Sequence, residues 1–173
     1  MRVLENAFWT FSLSVFQNSN VAGECIDLQD RHGIDVNVLL FCAWLGATQR
    51  AVDKKQVQEI LASIGDWQSE VVTPLRVLRR RLKGKTGAAI PNEAQLAFRE
   101  EVKRAELKSE QLEQAILYNL ESSFSATPNS GLRLIAANIR TCLESKSVLL
   151  AGAALPEKLI AAASEYAENK SGS

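Results

Sequence analysis

The segment DVNVLLFCAWL, residues 35–45, decides the fold of this chain of 173 residues. Asp35 can cap the first turn of a helix, and Ile34 before it is placed to pack on Leu39 as a hydrophobic staple. Apart from Asn37, the rest of the segment is apolar on all sides. Because a helix that is apolar all round must be covered by its neighbours, we predict a central helix surrounded by other helices.

Two helices are expected before this segment. The first has apolar side chains at helical spacing on two adjoining stripes, so its apolar face is wide enough to contact two neighbours. These residues are Leu4, Phe8, Phe11 and Val15 on one stripe and Trp9, Leu13 and Phe16 on the other. The second helix ends at Gly33, a residue that suits the left-handed conformation in which many helices stop. Its apolar stripe is Val21, Cys25, Leu28 and His32.

A helical hairpin is expected after the segment. Asp53 can cap the helix that follows, and an apolar stripe resumes at Trp67, where Pro74 should kink or restart the helix because proline has no amide hydrogen. A long helix is predicted from residue 92 to about residue 124, with a stripe close to a heptad pattern. The stripe consists of Phe98, Val102, Ala105, Ser109, Leu112, Ile116 and Leu120. Residues 66–124 should therefore form an antiparallel hairpin.

These patterns predict an all-α fold, a single-domain multi-helix bundle with a central apolar helix and a long antiparallel helical hairpin. We assign residues 1–124 to a helical core domain and residues 125–168 to alanine-rich helices docked on that core. Residues 169–173 are expected to be a disordered tail. No segment alternates apolar and polar residues for long enough to predict a β-strand.

Composition argues against several classes of protein. Acidic and basic residues number 20 each, so the chain lacks the overall positive charge of a general nucleic-acid-binding protein. Its three cysteines are widely spaced without a CxxC pair, so we expect buried, reduced thiols. Polar residues interrupt the N-terminal apolar run, and residues 36–45 fall far short of the ~20 residues of a membrane-spanning helix. We therefore expect a cytoplasmic protein without membrane contact.

Several motifs resemble an uncharacterised family of small proteobacterial proteins that is classed as a domain of unknown function. They are FWTFSL at residues 8–13, LQDRHGIDVN at 28–37, LLF at 39–41, WL at 44–45, Trp67, VVTPLR at 71–76 and VKRAEL at 102–107. The resemblance covers roughly residues 8–120 and implies no activity, cofactor or partner. Two departures are Phe16, where members tend to have tyrosine, and residues 17–20, which replace a turn that commonly contains proline and glycine. Neither changes the predicted fold.

The densest cluster of polar side chains surrounds the turn at Gly33. Its candidate site residues are Asp27, Asp30, Arg31, His32 and Asp35. Imidazole and carboxylate groups can bind a divalent cation or transfer protons, so the cluster is a candidate small-molecule or metal site. We favour turn architecture instead, with Asp35 as a cap and Asp27 and Arg31 as an ordinary helical ion pair. Because no second histidine completes an established metal motif, no metal or cofactor is predicted.

Three glutamates, Glu106, Glu110 and Glu113, share one edge of the predicted long helix. Carboxylates at such spacing hold metal ions in some helical bundles, but those sites also use histidines and ligands from other helices. Basic residues lie close by in the sequence, so we favour a solvated face of mixed charge.

A basic run without acidic residues ends the first half of the hairpin. It consists of Arg76, Arg79, Arg80, Arg81, Lys83 and Lys85. Such a run can bind RNA, DNA phosphate or an acidic protein surface through salt-sensitive contacts. The interpretation that we favour is ion pairing with glutamates of the antiparallel helix. Those glutamates are Glu100, Glu101, Glu106 and Glu110.

No catalytic residues are predicted, because the chain lacks a Walker-type phosphate loop, a GxGxxG fingerprint and a GxSxG nucleophile. The leading hypothesis is a non-enzymatic cytoplasmic protein that acts through a protein partner or self-association, with residues 66–124 as the contact surface. Trp67 and the heptad-like stripe are anchors of the kind that interfaces use. The alternatives are RNA association through residues 76–85 and a small-molecule or metal site around residues 27–35.

Overall fold

The structure is a computed structural model that describes residues 4–17, 19–84, 90–127, 131–148 and 152–171. Its helices are α1 (Ala7–Phe16), α2 (Ser19–His32), α3 (Val36–Ala47), α4 (Lys54–Trp67), α5 (Thr73–Arg81), α6 (Asn92–Asn119), α7 (Gly131–Ser145) and α8 (Glu157–Ser171). A π-helical segment, Gln68–Val72, joins α4 to α5, and a 3-10 turn, Glu121–Ser123, follows α6. Within the described ranges no β-strand forms, and a single bridge pairs Arg50 with Ala126. The predicted all-α fold is confirmed.

α3 lies at the centre of the hydrophobic core. Asp35 caps it, since the carboxylate oxygen Oδ1 accepts a hydrogen bond from the Val38 amide at 3.0 Å. Every residue from Asn37 to Gly46 is buried. Phe41 contacts Phe8 of α1 edge-on, with 5.2 Å between the ring centroids. The apolar sequence of this helix thus matches its position, because each of its faces meets another part of the protein.

α7 packs against α3 with the two backbones in close contact. A Cβ atom at Gly46 would lie 2.6 Å from the Ile135 Cα and 2.7 Å from the Ile135 nitrogen, so the approach requires glycine. Asn138 of α7 forms hydrogen bonds with the backbone of the segment that follows α3. Its side-chain amide donates to the Arg50 carbonyl at 2.8 Å, and its Oδ1 accepts from the Val52 amide at 3.1 Å. α7 therefore contributes to the same core as α3.

The hairpin consists of α4, the π-helical segment and α5 on one side and α6 on the other. Asp53 caps α4 in a capping box with Gln56. Pro74 lies in the first turn of α5, where a missing amide hydrogen is tolerated, and the helix restarts there after the π-helical turn. Trp67 connects the two sides, because its Nε1 donates to the Ser109 carbonyl at 3.0 Å.

Two predicted boundaries differ from the structure. α6 ends at Asn119 rather than near residue 124, because the chain turns and places Phe124 edge-on against Phe41, 6.1 Å away. α8 continues to Ser171, past the expected start of a disordered tail at residue 169, because Tyr166 packs on Phe11 of α1 and anchors its second half. Residues 172–173 lie outside the described ranges.

The three cysteines are buried and reduced, as predicted. Burial raises the pKa of the Cys25 thiol to about 12. A hydrogen bond with Cys142, together with burial, raises the pKa of the Cys42 thiol well above its ordinary value. Thiols with such pKa values are poor nucleophiles at neutral pH, because little thiolate is present.

Candidate functional site

The buried face of α6 is polar rather than apolar. Its buried residues are Gln95, Val102, Glu106, Ser109, Glu113, Gln114, Ala115 and Leu117. The predicted stripe is right for Val102 and Ser109 but wrong for Phe98, which is 51 % exposed, and for Ala105, which is also exposed. Ile116 and Leu120 of the stripe are partly buried against the core, so the stripe holds in part, and Glu106 and Glu113 share its buried side.

The interpretation of the α6 glutamates as a solvated face is wrong. Glu106 is 5 % exposed, Glu113 is fully buried, and Glu110 is partly buried. For Glu106 and Glu110 the physical reason lies across the hairpin, where guanidinium groups of α5 supply opposite charge and hydrogen-bond donors, whereas Glu113 receives its hydrogen bond from Asn37 of α3. The two other expected partners of the basic run, Glu100 and Glu101, instead pair with basic residues of α6 itself.

Arg76 and Arg79 connect α5 to α6 by partly buried ion pairs. Arg76 Nη2 lies 2.8 Å from Glu110 Oε1, and Arg76 Nε lies 3.3 Å from Glu106 Oε1. Arg79 holds Glu106 by two donors: its Nε donates to Oε2, and its Nη2 donates to Oε1 at 3.1 Å. The expected pairing of the basic run with Glu106 and Glu110 is therefore present.

The rest of the basic run points to other parts of the molecule. Arg80 Nη2 donates to Asp30 Oδ1 of α2 at 2.5 Å, and this hydrogen bond lowers the pKa of Asp30 below its ordinary value. Arg81 and Lys83 are exposed, and Lys85 lies outside the described residues. The run is thus divided between internal ion pairs and solvent, and does not present all its charges on one free surface.

The polar cluster around Gly33 separates in the structure. Asp27 and Arg31 form an exposed pair on α2, with 2.7 Å between Oδ1 and Nε. His32 is partly buried at the end of α2. Asp35 serves the fold, because besides capping α3 it accepts a hydrogen bond at Oδ2 from Gln68 at 3.0 Å. Turn architecture accounts for most of this cluster.

Asp30 and Asp35 still line one concavity, which we call the α2–α5 cleft. Its volume is about 470 Å³, and Gln68, Arg76 and Arg80 contribute further polar groups to its lining. The structure therefore brings part of the turn cluster together with part of the basic run. The sequence offers no reason to join them, since they lie about 50 residues apart and on different helices. Asp30, Asp35, Arg76 and Arg80 already have partners within the chain, while Lys146 at the edge of this lining is exposed.

A chain of buried hydrogen bonds links α3 to α6, and we call it the Asn37 network. Asn37 Nδ2 donates to Glu113 Oε2 at 2.6 Å, and Gln114 Nε2 donates to Asn37 Oδ1 at 2.8 Å. All three side chains are buried. Sequence reasoning missed this network. The available indication was Asn37 itself, a polar residue within an otherwise apolar helix, because such a residue needs a buried partner.

Burial changes the acidity of Glu113. Removal from water, reinforced by the negative charge of Asp35, raises the pKa of Glu113 to about 8. The hydrogen bond from Asn37 and the positive charge of Arg76 oppose this shift without cancelling it. Near neutral pH the carboxyl group is therefore mostly protonated. Burial also raises the pKa of Glu110.

A second concavity, the α1–α6 cleft, lies between α1, α2 and α6 and has a volume of about 420 Å³. Three large apolar side chains of its lining are about half exposed, namely Leu13, Ile26 and Leu107. Polar groups of the lining come from Asn37 and Gln114 of the Asn37 network and from Arg79 and Glu106. An apolar wall with a few placed polar groups is typical of binding sites.

Two buried polar atoms in the lining of the α1–α6 cleft have no hydrogen-bond partner in the described part of the chain. They are Ser12 Oγ and Gln114 Oε1. Buried polar groups are nearly always hydrogen-bonded, because an unpaired one costs on the order of 1–3 kcal/mol. These atoms therefore indicate a position where a bound group could supply the missing hydrogen bonds.

Other site types have little support in the described ranges. No group of three or more histidine, cysteine, aspartate or glutamate side chains is placed there to hold a metal ion. No helix in these ranges is long and apolar enough to cross a membrane.

Comparison with known proteins gives a family and no activity. No curated protein and no solved structure matches the chain. A family model described as a protein of unknown function (DUF2390) matches residues 7–117, the region that carries most of the motifs with a family resemblance. Because the match spans well over half of the sequence, the chain belongs to this family of proteins of unknown function, DUF2390.

Proposed function

We propose that this protein is a non-enzymatic cytoplasmic binding protein that holds an amphipathic segment of a protein partner in the α1–α6 cleft. The observation that carries the proposal is the exposure of Leu13, Ile26 and Leu107, which come from three helices and line one cleft. Large apolar side chains that stay half exposed around a concavity are a common mark of a binding surface.

The proposed surface differs from the hairpin face that the sequence favours. Trp67, expected as an anchor for a partner, is engaged inside the hairpin by the Ser109 carbonyl. α6 still takes part, but through Leu107, which lies on another side of the helix from the buried Glu106 and Ser109. The partner would thus meet one flank of the hairpin together with α1 and α2.

The charges of the cleft indicate the chemistry of the bound segment. The Glu106 side chain is only 6 % exposed beneath Arg79, whereas the Lys103 side chain is 60 % exposed at the same cleft. The lining has three basic and two acidic side chains, so its net charge is positive, and we expect acidic residues beside the apolar face of the segment. An amphipathic helix in a groove is the recognition mode that fits this arrangement.

The test is affinity capture with the tagged full chain from nuclease-treated lysate of its source cells. Leu107→Glu places a charge on the cleft wall and should reduce capture of the partner by about tenfold or more. Ala105→Glu is the matched control, because Ala105 is exposed on the same helix and outside the cleft. Equal capture by wild type, Leu107→Glu and Ala105→Glu would contradict the proposal.

Two further measurements identify other occupants or surfaces. Leu96 and Phe98 are half exposed near the start of α6, so Leu96→Glu tests the free end of the hairpin. Loss of the partner with Leu96→Glu but not with Leu107→Glu would move the contact surface there. If analytical ultracentrifugation shows a dimer that Leu107→Glu dissociates, the occupant is a second copy of this chain.

RNA association through residues 76–85 is the first alternative. Arg76, Arg79 and Arg80 are paired with acidic side chains, which removes much of the charge that the sequence offers. The exposed Arg81 and Lys83 remain as candidate phosphate contacts. Partners that disappear on nuclease treatment, with binding that falls steeply as salt rises, would support RNA over a protein segment.

A small polar ligand in the α2–α5 cleft is the second alternative. Asp30, Asp35 and Arg80 line this cleft, but a ligand would have to compete with the ion pair between Asp30 and Arg80. A ligand in this cleft should raise the melting temperature of the wild type by linkage. Asp30→Asn should remove that increase without affecting partner capture.

A further inference from the structure

We propose that the α1–α6 cleft selects a partner segment that inserts a neutral hydrogen-bond donor, a carboxamide or hydroxyl side chain, and that Gln114 Oε1 accepts its hydrogen bond. Ser12 Oγ supplies a second polar contact in the same cleft. This inference rests on the proposed function and adds the chemistry by which the cleft recognises its segment. It follows from the two unpartnered atoms and from the order of the Asn37 network.

The Asn37 network fixes which end of the Gln114 amide is left unpaired. The Asn37 side chain turns its amide group toward Glu113 Oε2, at 2.6 Å, and Oε2 accepts this hydrogen bond both when the carboxyl group is ionised and when its proton lies on Oε1. The Asn37 Oδ1 atom is then the acceptor that faces Gln114, which turns its own amide group inward, at 2.8 Å. Gln114 Oε1 remains as an acceptor without a donor. The cleft should therefore bind a segment that offers an N–H or O–H group at this position, and a second acceptor there would be unfavourable.

Charge balance around the cleft favours a neutral donor over an ammonium group. The carboxylates of Glu106 and Glu110 are already paired with Arg76 and Arg79. An inserted lysine side chain would bring a further positive charge next to these two guanidinium groups and Lys103, without a free carboxylate in the lining to receive it. Burying an unpaired charge is costly, whereas a carboxamide or hydroxyl group brings only dipoles.

The unpartnered atoms are covered in this structure, so recognition requires movement of the cleft wall. Ser12 and Gln114 are 4 % and 3 % exposed. Leu13 and Leu107 are about half exposed, and half-exposed leucines can change rotamer on a short timescale. The bound segment would replace these side chains over the polar floor. Its apolar residues would contact the displaced leucines while its donor meets Gln114.

The test compares two probes that differ in a single hydrogen-bond donor. N-methylhexanamide and methyl hexanoate have the same apolar chain and nearly the same shape, and only the amide has an N–H group. Each is titrated into the isotope-labelled full chain, and NMR follows the Gln114 side-chain amide and the Leu13 and Leu107 methyl groups. We expect shifts at all three positions and about tenfold tighter binding of the amide. Equal affinities would overturn the inference, as would binding of the amide without a shift at Gln114.

Variants give a second, independent readout. Gln114→Met removes the acceptor with little change of volume and should bring the affinities of the two probes together. Because this change also removes a donor to Asn37 and could unfold the network, Ser12→Ala is the milder companion. It should weaken binding of the amide more than that of the ester. Unchanged discrimination by both folded variants would contradict the inference.

Failure of this inference is distinguishable from failure of the proposed function. If Leu107→Glu abolishes capture of a protein partner while the two probes bind equally, the cleft binds its partner without selecting a donor. That result overturns the inference alone. If the amide is preferred but neither a protein partner nor self-association depends on Leu107, donor selection is supported and the proposed protein partner is wrong.

Discussion

Glu113 lies in an interior that penalises its charged form. Asp35 faces it from the start of α3 and Glu110 from α6, while Arg76 faces it from α5 and Asn37 donates a hydrogen bond to it. Two glutamates of the same helix, Glu106 and Glu110, already have guanidinium partners. Protonation of Glu113 therefore avoids a further negative charge beside Asp35 and Glu110, which is why a raised pKa is compatible with a stable fold.

Glu113→Gln should change how stability depends on pH. The pKa of Glu113 is about 8 in the fold against an ordinary value of 4.5, so the folded state retains a proton that the unfolded state releases. This contribution to stability is present below the unfolded pKa and is lost as pH rises through the folded pKa. Between those values the free energy of unfolding should fall by about 1.4 kcal/mol per pH unit. Glutamine has no proton to release, so the variant should gain stability relative to wild type as pH approaches 8.

Urea unfolding at a series of pH values measures this difference. Glu59→Gln is the control, because Glu59 is exposed on α4 and its replacement should leave the pH profile unchanged. Parallel stability profiles for wild type and Glu113→Gln across this pH range would show that Glu113 titrates normally in the fold.

Arg76→Met should destabilise the protein by about 3 kcal/mol, because it leaves the partly buried Glu110 without its opposite charge and removes one of the two guanidinium groups that hold Glu106. Arg81→Met is the matched control on the same helix. Since Arg81 is exposed, its replacement should change the free energy of unfolding by no more than about 0.5 kcal/mol. Chemical denaturation of both variants decides the matter, and equal effects would mean that the buried pairs contribute no more than a surface arginine.

The sequence predicts the caps and not the buried charges, for a physical reason. Asp35 and Asp53 cap helices through atoms three residues away, so their roles can be read from local spacing. The burial of Glu106 depends on Arg79, which lies 27 residues earlier and meets it only after the hairpin closes. In the local sequence, Arg79 and Glu106 both have the spacing of an exposed helix face. Only the contact between α5 and α6 determines that Glu106 is buried.

At the scale of the helices, the same pattern rule is right for α3 and only partly right for α6. α3 is apolar on all sides, so no choice of face was needed to predict its burial. α6 is amphipathic in two ways, with a heptad-like apolar stripe that includes Phe98 and a carboxylate edge that includes Glu106 and Glu113. The carboxylate edge is buried because α5 presents arginines toward it. The hydrophobic pattern alone does not contain that information.

The contact between α3 and α7 provides a test at this scale. Gly46→Ala would place a Cβ atom 2.6 Å from the Ile135 Cα. Because the atoms that it meets belong to the backbone of α7 and cannot rotate away, the two helices must separate. We expect a loss of about 3 kcal/mol in the free energy of unfolding. Gly23→Ala is the opposite control, because its Cβ atom meets nothing within 4 Å in the middle of α2. It should stabilise the protein by up to about 1 kcal/mol.

Thermal unfolding of the two glycine variants gives shifts of opposite sign if this packing is correct. A Gly46→Ala variant as stable as wild type would mean that α7 does not approach α3 as closely as the structure shows. The result for Gly23→Ala tests whether helix propensity alone changes the stability at a position where the added Cβ atom contacts nothing.

At the scale of the whole molecule, the region matched by the family model and the hydrophobic core end at different points of the chain. The family model ends at residue 117, before α7 and α8. Yet Ile135, Ile139 and Leu143 of α7 are completely buried in the core that surrounds α3. A helix as apolar as α3 needs cover on every side, so the residues after the matched region complete the burial of the most apolar helix inside it.

A chain that ends at Thr127 should therefore fail to fold cooperatively, although it contains the whole region matched by the family model. It loses three fully buried side chains of α7, each worth about 2 kcal/mol by burial alone, and it exposes the α3 surface that they cover. That loss is comparable to the entire net stability of a typical domain, roughly 5–15 kcal/mol. A chain that ends at Glu168 is the control, because it keeps α7 and most of α8, and it should remain near wild type since Asn169 and Lys170, which it removes, are exposed. Near-ultraviolet circular dichroism and binding of a hydrophobic dye distinguish the two outcomes. A fixed aromatic signal with little dye binding in the chain that ends at Thr127 would contradict this prediction. It would mean that residues 7–117 form a stable core without α7.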